Sequence, residues 1–249
     1  YWAWDPVENA SLLPWLTATA ALHSILVVER KGILKGWTLT LVLSTFLLTI
    51  LGTFMTRSGV FNSVHSFTQS DIGPTFLVFL GMGLIASLIL LSTGIGKLEA
   101  EGRIQDPKSR EATFLVNNLL FVMLTLTVLL GTVFPLIVEA VQGRQISVGE
   151  PYFNQMAVPL GVALLFLMGI GPALPWGRAS REKALAALLP PLSGGVLLAV
   201  VGFVLGARSP WLLLTLAAGG YALYVTGKEM LLPLWKKARG GSAKEGVRL

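Results

Sequence analysis

The residues of this chain that could do chemistry gather at its start and around two histidines. The first fifteen, YWAWDPVENASLLPW, place Trp2, Trp4 and Trp15 with Tyr1, Asp5 and Glu8 at the mouth of the first long apolar run. Flat rings in such a place can stack on a large planar ligand, while Asp5, Glu8 and Asn9 supply polar anchors that fix its orientation. The ordinary alternative is an anchoring belt, since Trp and Tyr gather at every membrane interface. A belt accounts for Trp15. It does not require a carboxylate and a proline beside its rings, so Trp2, Trp4 and Asp5 read as a site.

The histidines, His23 and His65, have different addresses. Counted from Leu12 at about 1.5 Å per residue, His23 lies roughly 16 Å along the first apolar run, near the middle of a bilayer's hydrocarbon. An ionisable side chain there is costly and marks a functional candidate; the alternative is a neutral imidazole hydrogen-bonded to a neighbouring helix. His65 falls in the polar-flanked stretch GTFMTRSGVFNSVHSF. A loop histidine is ordinarily a surface residue, but neutral imidazole is also the commonest metal ligand and often holds haem iron. An aromatic floor and an imidazole on one side of a membrane together form a cradle suited to haem. The chain has no cysteine, so any thiol in its chemistry must belong to a partner.

The elements that position these residues follow from composition. With 53% hydrophobic and 13% charged residues among 249, and a mean hydropathy of +0.71, the chain is an all-α polytopic membrane protein rather than a water-soluble domain. A spanning helix needs ~20 apolar residues, and seven runs meet that need: Leu12–Val28, Trp37–Phe54, Thr75–Ile95, Thr113–Val138, Met156–Trp176, Ala184–Leu205 and Pro210–Thr226. The fourth exceeds the need, which predicts tilt or an end near Pro135.

Basic residues in short loops stay on the cytoplasmic side. One alternating set of segments carries Arg30, Lys31, Lys35, Lys97, Arg103, Lys108, Arg110, Arg178, Arg181, Lys183, Lys228, Lys236, Lys237, Arg239, Lys244 and Arg248; of the 19 lysines and arginines only Arg57, Arg144 and Arg208 fall in the other. The Trp-rich start and the loops 55–74 and 139–155 are therefore expected outside, and the C-terminus in the cytoplasm. The net charge of +6 follows from this distribution; the cations are spread over four segments rather than gathered into a nucleic-acid-binding face, and no nucleic acid is expected as a partner. The chain opens inside an aromatic motif, without initiator Met or leader, as an interior fragment of a longer protein would. No repeat or low-complexity tract divides it.

The runs WDPVENASLLPWL, ALHS and GTFMTRSGVFNSVHSF resemble the CcmF family, the large membrane subunits of the bacterial cytochrome c maturation system. NNLLF at Asn117–Phe121, GTVFPL at Gly131–Leu136, ISVGEPYFN at Ile146–Asn154 and MGIGPALPW at Met168–Trp176 extend the likeness over Tyr1 to Trp176; residues 177–249 match by hydropathy alone. The resemblance implies a haem lyase, or holocytochrome c synthase, of the haem-handling proteins that share a tryptophan-rich WWD domain. Trp2, Trp4, Asp5 and Asn9 would then belong to the platform that presents haem on the outer face of the bacterial plasma membrane. His65 would ligate the iron of that haem, and His23 that of a second, b-type haem within the membrane, which passes electrons from quinol. Asp5 and Glu8 would fix the platform or contact the haem surroundings rather than act as an acid pair.

The resemblance further implies haem supplied by the chaperone CcmE, apocytochrome c delivered by CcmH and CcmI, and thioether bonds formed with a CxxCH segment. The family pattern has a second outer histidine, which would precede Tyr1, and a second ligand for the b haem on a later helix; no histidine follows His65. Alternative readings are a haem transporter or exporter of the CcmC or CcsA type and a quinol-oxidising haem b membrane protein. Proteins of the CcmC or CcsA type would lack SGVFNSVHSF, a haem transporter without lyase activity would enclose a haem-sized path among its helices, and a quinol-oxidising haem b protein would need a histidine partner for His23.

Overall fold

The computed structural model of the protein describes residues 2–59, 72–94, 96, 98, 102, 104, 106–178 and 180–238. Tyr1, His65 and the rest of SGVFNSVHSF beyond Gly59 lie outside the described residues. The elements are α1 (Pro6–Lys31), α2 (Lys35–Arg57), α3 (Gly73–Gly94), α4 (Arg110–Gln142), α5 (Glu150–Ala173), α6 (Arg181–Leu188), α7 (Leu192–Val204) and α8 (Pro210–Ala238). No strand occurs among the described residues, and the fold is all-α. Among the described residues six helical stretches are long and apolar enough to cross a membrane: α1 to α5, and Arg181–Val204, which joins α6 to α7. This is a multi-pass membrane protein, and many of its large apolar side chains are exposed; on α3, Val78 is 63% and Ile85 60% exposed.

Several boundaries differ from those read in the sequence, each for a local reason. α1 starts at Pro6 rather than Leu12, because Asp5 and Glu8 cap it. His23 therefore sits about 26 Å from the start of α1 and about 12 Å from its end at Lys31, not at mid-length. α4 does not end near Pro135 but runs through it to Gln142. The outer loop expected at 139–155 shrinks to 143–149, since α4 and α5 take its two ends. The sixth run is broken at 189–191, where Pro190 and Pro191 remove two backbone donors. The seventh run opens α8, but α8 is not among the six apolar stretches: Gly219, Gly220, Tyr221 and Tyr224 dilute its hydropathy, and Lys228 and Glu229 follow at once.

The chain forms two compact units, residues 1–104 with 114–160, and 105–113 with 161–249. In the first, α1 and α2 lie antiparallel in a seven-residue register. Ser24 bonds Thr38 at 2.7 Å, and the Thr45 hydroxyl donates to Thr17 Oγ1 at 2.9 Å. Ala10 meets Gly52, where an added Cβ would come within 2.9 Å of the Ala10 carbonyl oxygen. Pro14, inside α1, has no N–H to offer that carbonyl, which meets α2 at Gly52, a position without a side chain. Helices in lipid associate through small residues and hydroxyl bonds of this kind, because apolar burial gives no preference between lipid and protein.

In the second unit the start of α4 clamps the end of α5. Arg110 donates to the carbonyls of Leu174 at 2.8 Å and Pro172, and lies 5.5 Å from the centre of the Trp176 ring. The buried Glu111 carboxylate accepts the Gly177 N–H at 2.9 and 3.0 Å. The MGIGPALPW segment is thus a helix ending whose free carbonyls are satisfied by a guanidinium. Gly194 and Gly195 of α7 meet Gly220 and Ala217 of α8 in backbone contact.

Candidate functional site

The aromatic start is held by the cap of α1. Asp5 is the N-cap: its carboxylate accepts from Val7 N–H at 2.8 Å, while the Glu8 carboxylate turns back to accept from Ala3 N–H at 2.9 Å and Asp5 N–H at 3.2 Å. This reciprocal box, with Pro6 at the first helical position, satisfies donors that a helix start leaves free. Asn9, fully buried, donates from Nδ2 to the Trp4 carbonyl at 3.1 Å and to Thr132 Oγ1 on α4 at 3.0 Å. Asp5, Glu8 and Asn9 thus fold the motif. Asn9 ties it to α4 as well.

These bonds hold Trp4 at φ 56°, a left-handed backbone that few large residues adopt. Its indole stacks on Phe153 of α5, with centroids 5.0 Å apart and planes at 11°, and its Nε1–H donates to Asn154 Oδ1 at 2.8 Å. Phe153 comes this close because α4 has Gly131 opposite; a Cβ there would lie 2.7 Å from the Phe153 ring. Trp2 meets the other ring edge-on at 6.0 Å and 86°, and remains 45% exposed. One face of Trp4 is therefore committed to the protein, and Trp2 offers the open aromatic surface. Trp15 is 60% exposed and touches Phe121 edge-on at 6.4 Å, which fits the belt reading.

His23 occupies a second place, toward the other end of α1. Its half-buried ring faces Phe114 at 5.2 Å and Phe121 at 5.9 Å, and its Nδ1 is bonded by the carboxamide of Asn117 at 2.8 Å. Residues spaced three and four apart share a helix face, so Phe114, Asn117 and Phe121 form one wall of α4 around the imidazole. As placed, Asn117 Nδ2 meets Nδ1, and Asn117 Oδ1 is buried with no hydrogen-bond partner among the described residues. An unpaired buried carbonyl costs about 1–3 kcal/mol. The neighbouring Asn118, fully buried, leaves both its polar atoms unpaired in the same sense.

Among the described residues the structure brings Trp2, Trp4, Asp5 and Asn9 to one end of α1 and sets His23 apart from them. Sequence reasoning did not single out Asn117, Phe153 or Asn154, although the segments NNLLF and ISVGEPYFN contain them. The signal for Asn117 was an amide pair between two phenylalanines in an otherwise apolar run.

The family model described as Cytochrome C assembly protein matches residues 1–61. The cytochrome c-type biogenesis protein ccl1 of Rhodobacter capsulatus is 38% identical over 239 residues, 96% of this chain and 36% of the relative. CycK of Rhizobium meliloti is 43% identical over 81% of this chain and 30% of its own length, and CcmF of Escherichia coli 40% identical over 85% and 32%. A solved structure of the cytochrome c haem lyase CcmF has a TM-score of 0.71 and 37% identity, covering 96% of this chain and 36% of that one. Nearly the whole chain is homologous to CcmF-type proteins. It spans about a third of the length of the CcmF-type relatives it matches. Trp2, Trp4, Asp5, Asn9 and His23 all lie inside the segment that the family model matches.

Proposed function

We propose that this chain serves the haem lyase step of cytochrome c maturation, holding haem at the Trp2 end of α1 for thioether attachment to apocytochrome c. The observation that carries the reading is the rigid aromatic start: Trp2 stands exposed on a Trp4 whose backbone and indole are both fixed. A planar, largely apolar porphyrin suits that surface. The thiols of a CxxCH segment would add across the two haem vinyl groups; this chain, without cysteine, supplies none of them. What it contributes is position and orientation, which can replace several kcal/mol of barrier without an acid or base group.

His65 would ligate the iron of that haem. His23 would hold a b-type haem, which when bound supplies one-electron chemistry, with quinol as its source. The wall around His23 fits the role: aromatic rings on two sides, the Asn117 carboxamide on Nδ1, and Nε2 unengaged among the described residues. CcmE would deliver haem, and CcmH and CcmI the apocytochrome. The platform and the His65 segment would face the periplasm.

The test is holocytochrome c yield in cells carrying variants of the full-length protein. Trp2→Ala should lower the yield and leave the folded protein at its normal level, because Trp2 supports haem rather than the helix cap. His65→Gly should lower it too and recover in part with added imidazole, which can fill a vacated iron position but cannot replace an indole. Normal yields from both variants would remove haem from this end of the molecule.

A further inference from the structure

The His23–Asn117 contact contains a chemical choice. An imidazole that binds iron through Nε2 must carry its proton on Nδ1, and that N–H needs an acceptor. The arrangement in the structure is the reverse in polarity: Asn117 Nδ2 faces Nδ1 at 2.8 Å, and Asn117 Oδ1 has no hydrogen-bond partner among the described residues. A carboxamide is nearly symmetrical in shape and has a donor at one end and an acceptor at the other. Half a turn of the side chain brings Oδ1 opposite Nδ1 without moving either helix. The ring is meanwhile held by Phe114 and Phe121 at 5.2 and 5.9 Å.

We propose that Asn117 is a positioning residue that sets the tautomer of His23, accepting Nδ1–H through Oδ1 when Nε2 holds haem iron and donating to Nδ1 through Nδ2 when it does not. This rests on the reading of His23 as the b-haem ligand. The neutral amide serves both states without placing a charge among membrane helices, where a carboxylate would be costly. It also fixes the donor strength of the imidazole. An acceptor on Nδ1–H enriches the ring in electrons, a carboxylate does so more than an amide, and a haem protein tunes its potential through such bonds.

The experiment is a potentiometric titration of the b-type optical signal in the haem-loaded, full-length protein purified from membranes, for wild type, Asn117→Asp, Asn117→Leu and His23→Ala. Asn117→Asp keeps the acceptor and adds charge, so its midpoint should move to more negative potential with haem retained. Asn117→Leu removes the acceptor, so its midpoint should move the other way or the haem be lost. Opposite shifts, or haem lost from the Leu variant and kept by the Asp variant, support the proposal. Unmoved potentials in both, shifts of the same sign, or haem lost from an inserted Asp variant would overturn it, since those outcomes describe helix packing rather than ligand control. Should the Asp variant fail to insert, the Leu variant decides alone: a positive shift or haem loss supports, an unmoved midpoint overturns. His23→Ala with an unchanged spectrum would instead remove His23 as the ligand, a failure visible separately from that of Asn117.

Discussion

Trp4 carries a backbone conformation, φ 56°, that costs an L-residue on the order of 1–2 kcal/mol. It persists because Phe153, Asn154 and Asn9 each hold a different part of it: the ring face, the indole N–H and the carbonyl. Asp5 works on the same turn from the other side, as the N-cap. Asp5→Ala should therefore lower the stability of the detergent-solubilised protein by about 1 kcal/mol, read as an earlier thermal unfolding transition, and reduce cytochrome maturation through loss of the platform. Asp5→Asn keeps a strong capping side chain and should retain both stability and maturation. A stable Asp5→Asn protein without maturation would mean that the charge, not the cap, meets the ligand. The sequence reading used Asp5, Glu8 and Asn9 as ligand anchors as well as platform supports. The pattern D-P-x-E is also a helix-start signature, and in it the start of α1 at Pro6 and the inward turn of Glu8 are legible. The partners of Trp4 were not, since Phe153 and Asn154 lie about 150 residues away in the chain and only packing unites them.

Helices were the legible elements, because length and apolarity alone identify a span. Their ends were not, because caps and prolines act locally: Pro190 and Pro191 break α6 from α7, whereas α4 continues through Pro135 and α1 through Pro14. The register between α1 and α2 is a property of the pair. Ala10, Thr17 and Ser24 repeat every seven residues against Gly52, Thr45 and Thr38, and the hydroxyl bonds fix the sliding position while Gly52 fixes the distance. Gly52→Ala should force α1 and α2 apart, since the atom it meets at 2.9 Å is backbone and cannot rotate away. A loss of about 1–3 kcal/mol is expected, as for other overpacked interfaces, measured by denaturant unfolding in detergent. Gly81→Ala on α3, with nothing within 4 Å of the added carbon, should change stability by no more than about 0.5 kcal/mol. Equal effects of the two would show that the close approach at Ala10 does not set the pair.

At the scale of the whole molecule, charge and span length together specify an orientation that neither specifies alone. Arg30 and Lys31 end α1, Lys35 begins α2, and Lys108 and Arg110 flank the start of α4, while the segment 143–149 at the far end of α4 carries Arg144 alone. α4 is 33 residues long, about 50 Å at the rise of an α-helix, so its two ends cannot share one side of a bilayer ~30 Å thick in its apolar core. The basic end is expected in the cytoplasm. The proposed platform would then face outward, because Asn9 is bonded to Thr132 in the C-terminal half of α4 and Trp4 to Asn154 near the start of α5. His23, bonded to Asn117 in the N-terminal half of α4, would belong to the inner half. Alkaline phosphatase, which folds only outside the cytoplasm, should be active when fused at Gly143 and inactive when fused at Lys108, with a cytoplasmic reporter giving the opposite pattern. An active fusion at Lys108 and a silent one at Gly143 would turn the molecule over. That would leave Trp2 in the cytoplasm and His23 nearer the outer face, and the haem-presenting role proposed for the aromatic end could not stand.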